Sequence, residues 1–154
     1  MTDCANACAG VFCKLFSFYI PSGRYRTAFD AEILSIQIAL AQLHCQSENF
    51  SRVAILSDSR AALLSIASPE APASAYILNI RLAVGDLTEK HKEVTLQWVP
   101  AHCRLQGNEI ADSLAKKATK IVQKIEKPIP FYTAKRLIKE SFREEYWRNL
   151  KDTN

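Results

Sequence analysis

The chain has 154 residues, 48% of them hydrophobic and 23% charged, enough for one globular domain with a sizeable core. Four glycines and six prolines are too few for a fibrous or low-complexity chain. No apolar run approaches the ~20 residues of a membrane span and no secretory signal opens the chain, so an intracellular protein, in cytoplasm or nucleus, is expected.

Charge is placed unevenly. The formal net charge is +4, but residues 116–154 hold eleven Lys/Arg against five Asp/Glu, a net +6, and residues 1–115 carry −2. A near-neutral body with a basic end suits a polyanionic partner, although a solvated helix face accounts for such a run equally well. The five cysteines are odd in number and form no Cys-x-x-Cys pair, which fits reduced thiols better than a disulfide framework or a zinc site.

In chain order, Gly10 to Ile20 is rich in β-prone residues and predicts a strand, broken by Pro21-Ser22-Gly23, with Arg24 to Ala28 returning as a second. From Asp30 to Cys45 the apolar positions Ile33, Ile36, Leu40 and Leu43 recur at helical spacing. Arg52 to Ser57 reads as a buried parallel strand. Helices are predicted over Ser59 to Ala67 and over Ala73 to about Lys90, then a strand from Val94 to Val99 that Pro100 ends. Trp98, inside that apolar strand, reads as core. Asn108 is placed to cap a helix running to about Glu126. Lys127-Pro128-Ile129-Pro130 then closes a domain of residues 1–127. Residues 128–154 are a linker and an amphipathic helix over Thr133 to Leu150, whose Phe142 and Trp147 are expected to dock on the domain or on a missing neighbouring region. Hairpin strands followed by alternating helix and strand imply a mixed sheet with helices on both faces.

Acidic residues stand on separate elements beside apolar sequence: Asp3, Glu32 in Ala31-Glu32, Asp58 in Ser57-Asp58-Ser59, and Asp112 in Gly107-Asn108-Glu109-Ile110-Ala111-Asp112. Between the last two lies Trp98-Val99-Pro100-Ala101-His102. Taken singly, each carboxylate has an ordinary structural account, such as Asp30 and Glu32 complementing a helix dipole. As an ordered set, Thr2-Asp3, Ala31-Glu32, Ser57-Asp58-Ser59, Trp98 to His102 and Gly107 to Asp112 resemble the type 1 ribonuclease H domain, in the version carried by reverse transcriptases of non-LTR retrotransposons. The resemblance spans about residues 1–125.

That resemblance implies a ribonuclease H-like α/β fold with a five-stranded mixed sheet, and hydrolysis of the RNA strand of RNA–DNA hybrids. It also implies membership of a larger reverse transcriptase polyprotein. It assigns Asp3, Glu32, Asp58 and Asp112 as metal ligands and His102 as a proton-moving residue that aids product release. Magnesium, with manganese as a substitute, suits such a set because it prefers hard oxygen donors. Two ions about 3.5–4 Å apart can activate the attacking water and neutralise the leaving oxygen.

The chain departs from the family pattern in three places. Cys4-Ala5 follow Asp3 where the family has Gly-Ser. Ala101 precedes His102 in place of Gly, and Cys103-Arg104 replace Ser-Gly after it, stiffening a loop expected to move. Only Met1 and Thr2 precede Asp3 where the family has a whole strand, so a truncated first strand is expected. These departures define an alternative: a retroelement-derived remnant that binds nucleic acid without cutting it.

Overall fold

The structure is a computed structural model and describes residues 7–23, 25–102, 104–121 and 131–152. The chain divides into two compact units, Met1–Lys124 and Ile125–Asn154.

In the first unit, β1 (Ala7–Phe12) and β2 (Ser17–Gly23) form an antiparallel hairpin in which Gly10 faces Tyr19 and Phe12 faces Ser17. Here the sequence expectation is corrected at both ends. The run from Gly10 to Ile20 is two strands joined by a tight turn, closed by Cys13 N–H donating to the Phe16 carbonyl at 2.9 Å. No glycine or proline marks that turn, and Leu15 at its tip is exposed. Pro21, expected to break the strand, continues it opposite Cys8.

Helix α1 (Ala28–Cys45) starts with a capping box. The Thr27 hydroxyl accepts from the Asp30 N–H at 3.2 Å, and the Asp30 carboxylate accepts from the Thr27 N–H at 2.8 Å. Asp30 is buried and also lies 3.6 Å from the Arg26 guanidinium. β3 (Arg52–Ser57) follows, then α2 (Arg60–Ala67), α3 (Ala75–Glu89) and β4 (Glu93–Trp98). β3 and β4 pair in parallel from Arg52–Glu93 to Ser57–Trp98, and the two helices form the crossover that a parallel pair requires. Only one face of β3 is covered. Ile55 and Ser57 are buried, whereas Leu56 is 49% exposed.

The core joins Val11, Ile36, Leu40, Ile55, Ile77 and Ile80. Helix α4 (Gln106–Ala118) packs on the hairpin. It ends well short of Glu126 and is not capped by Asn108, since Leu105 holds the N-cap position and Asn108 lies inside the first turn. Gly10 sets the approach of helix to strand. A Cβ there would fall inside the Ala111 carbonyl and 2.7 Å from the Ala115 amide. Val11, the next residue, points into the core with α1. Successive residues of a strand point to opposite faces, so α1 and α4 cover opposite faces of β1.

Among the described residues there are four strands in two separate two-stranded sheets, not one five-stranded sheet. The expected truncated first strand falls outside the described residues, as do 122–130. The second unit holds α5 (Phe131–Asp152), with Arg136 and Glu140 paired at 2.9 Å and Phe131, Ile138, Phe142 and Tyr146 exposed. The Trp147 side chain lies outside the described set. No helix among the described residues is long and apolar enough to cross a membrane.

Candidate active site

Three of the sequence-marked carboxylates reach one cavity of about 410 Å3: Glu32 from α1, Asp58 from the end of β3 and Asp112 from α4. Asp3 lies outside the described residues.

Asp58 is held where strand gives way to helix. Its backbone carbonyl accepts from the Arg60 N–H at 3.1 Å and from the Trp98 indole N–H at 3.1 Å. The adjacent Ser59 hydroxyl caps α2 by accepting from the Ala62 N–H at 3.3 Å. The Asp58 carboxylate receives the Asn108 side-chain amide at 3.5 Å. Trp98 therefore does not serve as core. It is 45% exposed at the last position of the parallel ladder, and its N–H fastens the turn that carries Asp58.

Glu32 lies one turn into α1. Ser57, whose hydroxyl accepts from the Ser59 N–H at 3.1 Å, donates to the Glu32 carboxylate at 3.4 Å. The Glu32 carboxyl is pushed up to about 7. Burial is the largest cause, followed by the Asp58 charge, with a smaller push from Asp112; the Ser57 hydrogen bond opposes them. Desolvated carboxylates that repel one another are costly, and a divalent cation bound among them would relieve both terms. The donors are hard oxygens, so the set fits magnesium or manganese.

His102 stands apart from the cavity lining, on the loop after β4, with its side chain 76% exposed and Nδ1 3.9 Å from Glu109. His102, Glu109 and Asp112 bring ligand-type atoms within 4.8 Å of one another. Glu109 was not among the residues that the sequence singled out for chemistry. Its signal is the three-residue spacing to Asp112, which puts both carboxylates on one helix face. Ser57 and Asn108 were likewise missed as partners of Glu32 and Asp58. Both His102 and Arg104 adopt left-handed backbone, with φ of 53° and 60°.

Carboxylates from a helix, a strand end and a second helix thus converge beside a mixed α/β core. Residues 4–120 match the RNase H family, and the chain belongs to it. Glu32, Asp58, His102 and Asp112 lie inside the matched residues. Among solved structures, the N-terminal RNase H domain of rv2228c from Mycobacterium tuberculosis, determined as a fusion with maltose-binding protein, superposes with a TM-score of 0.50 at 14% identity. The alignment covers 74% of this chain and 94% of that one, a likeness of fold. No curated protein sequence matches the chain. Family membership supports ribonuclease H-type nuclease activity.

Proposed function

We propose that this protein is a divalent-metal-dependent endonuclease that hydrolyses the RNA strand of RNA–DNA hybrids. The observation that carries this reading is the convergence of Glu32, Asp58 and Asp112 on one cavity, with Glu32 pushed up by burial and by its two neighbours. Asp3, by the resemblance of Thr2-Asp3, is the fourth ligand of the set. Bound magnesium or manganese supplies a more acidic water and neutralises charge on the leaving oxygen, the two-metal chemistry of phosphodiester hydrolysis.

The chain's own residues have separable tasks in this reading. Ser57 and Asn108 hold the Glu32 and Asp58 carboxylates in orientation before any ion arrives, which lowers the reorganisation needed at the reacting centre. His102, exposed beside Asp112, accepts and releases a proton at the solvent side and aids departure of product. The basic C-terminal residues engage backbone phosphates. A place in a non-LTR retrotransposon reverse transcriptase rests on the sequence resemblance and belongs to the same proposal.

The test uses the purified chain with three labelled duplexes of one sequence: RNA–DNA, RNA–RNA and DNA–DNA. Internal cleavage of the RNA in the hybrid, dependent on magnesium and abolished by chelator, is expected, since helix shape and the 2′-OH distinguish the strands. Equal cutting of all three, or cutting that survives chelation, would overturn the proposal. Binding without cutting would identify the non-catalytic remnant.

A further inference from the structure

Helix α5 sorts its charges by ridge. Residues four apart on a helix form a ridge, and Lys135, Lys139 and Arg143 occupy one, all exposed. Like charges at this spacing repel and weaken an isolated helix. Among the described residues no carboxylate pairs with any of the three. The helix does hold carboxylates, but they stand elsewhere. On the next ridge Arg136 meets both Glu140 oxygens at 2.9 Å, and Glu144 and Arg148 follow with opposite signs. A helix adjusted only for solvation would interleave its carboxylates with all its cations.

The ridge on the other side of the cations is apolar. Its Ile138, Phe142 and Tyr146 are 57%, 65% and 61% exposed. Beyond it, exposed Ser141 and Glu145 form the far border. Cations therefore flank the apolar ridge on one side and a carboxylate on the other. A helix that sinks into an anionic bilayer carries Lys and Arg across its polar face, and Glu145 at this border opposes that. A duplex presents phosphates but hides the faces of its bases. A single strand has phosphates along one side and open base faces along the other, the order of these two ridges. Successive cations stand about 6 Å apart along the helix axis, on the scale of neighbouring phosphates.

We propose that α5 is a binding surface for single-stranded nucleic acid, with Lys135, Lys139 and Arg143 on consecutive phosphates and Phe142 stacked on a base. The proposal rests on the reading above that basic C-terminal residues contact phosphates. It narrows those contacts to one ridge and names the form of the strand, an unpaired stretch and not the hybrid to be cut. The surface lies within the second compact unit and uses no residue of the carboxylate cavity.

The probe is a labelled oligothymidylate of about twelve nucleotides, titrated with the full chain in chelator so that binding alone is read. Lys139 and Arg143 are varied because Lys135 also lies over the Phe131 ring, 4.8 Å from its centroid. Lys139→Ala and Arg143→Ala should each weaken binding and reduce the slope of log affinity against log salt by about 0.7. Phe142→Leu keeps an apolar side chain but removes the ring, and should weaken binding about fivefold or more with the slope unchanged. Arg148→Ala, an equal loss of charge on the paired ridge, should change little, and Lys139→Arg should keep the wild-type slope. Unchanged helical circular dichroism separates these losses from unfolding. Equal weakening by Arg148→Ala would reduce the effect to net charge and overturn the proposal. Wild-type binding by Phe142→Leu, or a blunt DNA duplex bound as tightly as the single strand, would overturn it too. So would binding to phosphatidylserine vesicles that depends on these residues while oligothymidylate binding does not. Hybrid cleavage in magnesium is assayed separately. Cutting without single-strand binding sinks this inference alone, and the expected binding without cutting sinks only the nuclease reading.

Discussion

Trp98 and Asp58, forty residues apart in the chain, are joined by a hydrogen bond from the indole N–H to the Asp58 backbone carbonyl at 3.1 Å. Trp98 also ends the parallel ladder opposite Ser57, and the Val99 N–H donates to the Ser57 carbonyl at 3.0 Å. The turn that presents the Asp58 carboxylate is thereby tied to β4, while Asn108 reaches the carboxylate from α4. Backbone and side chain of one residue are positioned by different elements.

Asp58→Asn should remove most nuclease activity while leaving the fold intact. The amide keeps the side chain's size but loses the charge that a metal ligand needs. The Asp58 charge is also the second cause of the raised Glu32 carboxyl, so the substitution should bring Glu32 back toward its ordinary range. Steady-state cleavage and carbonyl NMR titration of Glu32 check the two effects separately. A wild-type rate at saturating magnesium would show that Asp58 holds no metal.

Glu32 makes the metal-free protein sensitive to pH. Its folded-state value of about 7 stands above the ordinary 4.5, so the folded state binds more protons than the unfolded state between those values. The contribution is fully present below the ordinary value and is lost as pH rises through about 7. The shift corresponds to at most roughly 3 kcal/mol, reduced by solvent screening because Glu32 is only partly buried. Without metal, Tm should therefore fall from pH 5 to pH 8, and Glu32→Gln should flatten that fall. Magnesium should restore stability at the upper end. A metal-free Tm that is constant or rises over this range would count against the carboxylate cluster.

Gly10→Ala should disturb the site from a distance. Its Cβ would meet the backbone of α4 at Ala111 and Ala115, which cannot move aside as a side-chain tip can. The helix must shift, carrying Asn108 and Asp112 away from Asp58. A loss of about 1–3 kcal/mol in stability is expected from such overpacking, with weaker apparent metal affinity. Calorimetry and a magnesium titration of cleavage measure the two. Unchanged metal dependence would show that α4 is not positioned through Gly10.

Asp58 was legible because an apolar run ending in Ser-Asp-Ser gives both the strand end and the helix cap. The helices were legible from apolar spacing and lie within two residues of expectation over α1, α2 and α3. The hairpin was not, because a turn made from Cys13 to Phe16 carries none of the usual turn residues. Trp98 was misread because strand membership does not reveal which positions another layer covers. Asp30 and Glu32 sit two residues apart with similar surroundings in the sequence. Only the capping box with Thr27 and the contact with Ser57 separate a structural carboxylate from a site carboxylate. The closeness of Glu109 to His102 depends on how the loop after β4 turns, which local pattern does not specify.

That loop gives the last prediction. Arg104 adopts a φ of 60°, a conformation that costs an L-residue roughly 1–2 kcal/mol and that glycine takes freely. The family pattern places glycine at this position, and His102, two residues earlier, has a φ of 53°. Arg104→Gly should relieve the strain and raise stability by about 0.5–1 kcal/mol, less than the full cost because glycine also loosens the unfolded chain. If His102 acts in product release, a freer loop should raise multiple-turnover cleavage and leave the single-turnover rate unchanged. Thermal melts and the two kinetic regimes decide the matter. Lower stability would show that the Arg104 side chain, and not its backbone, dominates. A change confined to the single-turnover rate would place His102 in the chemical step instead.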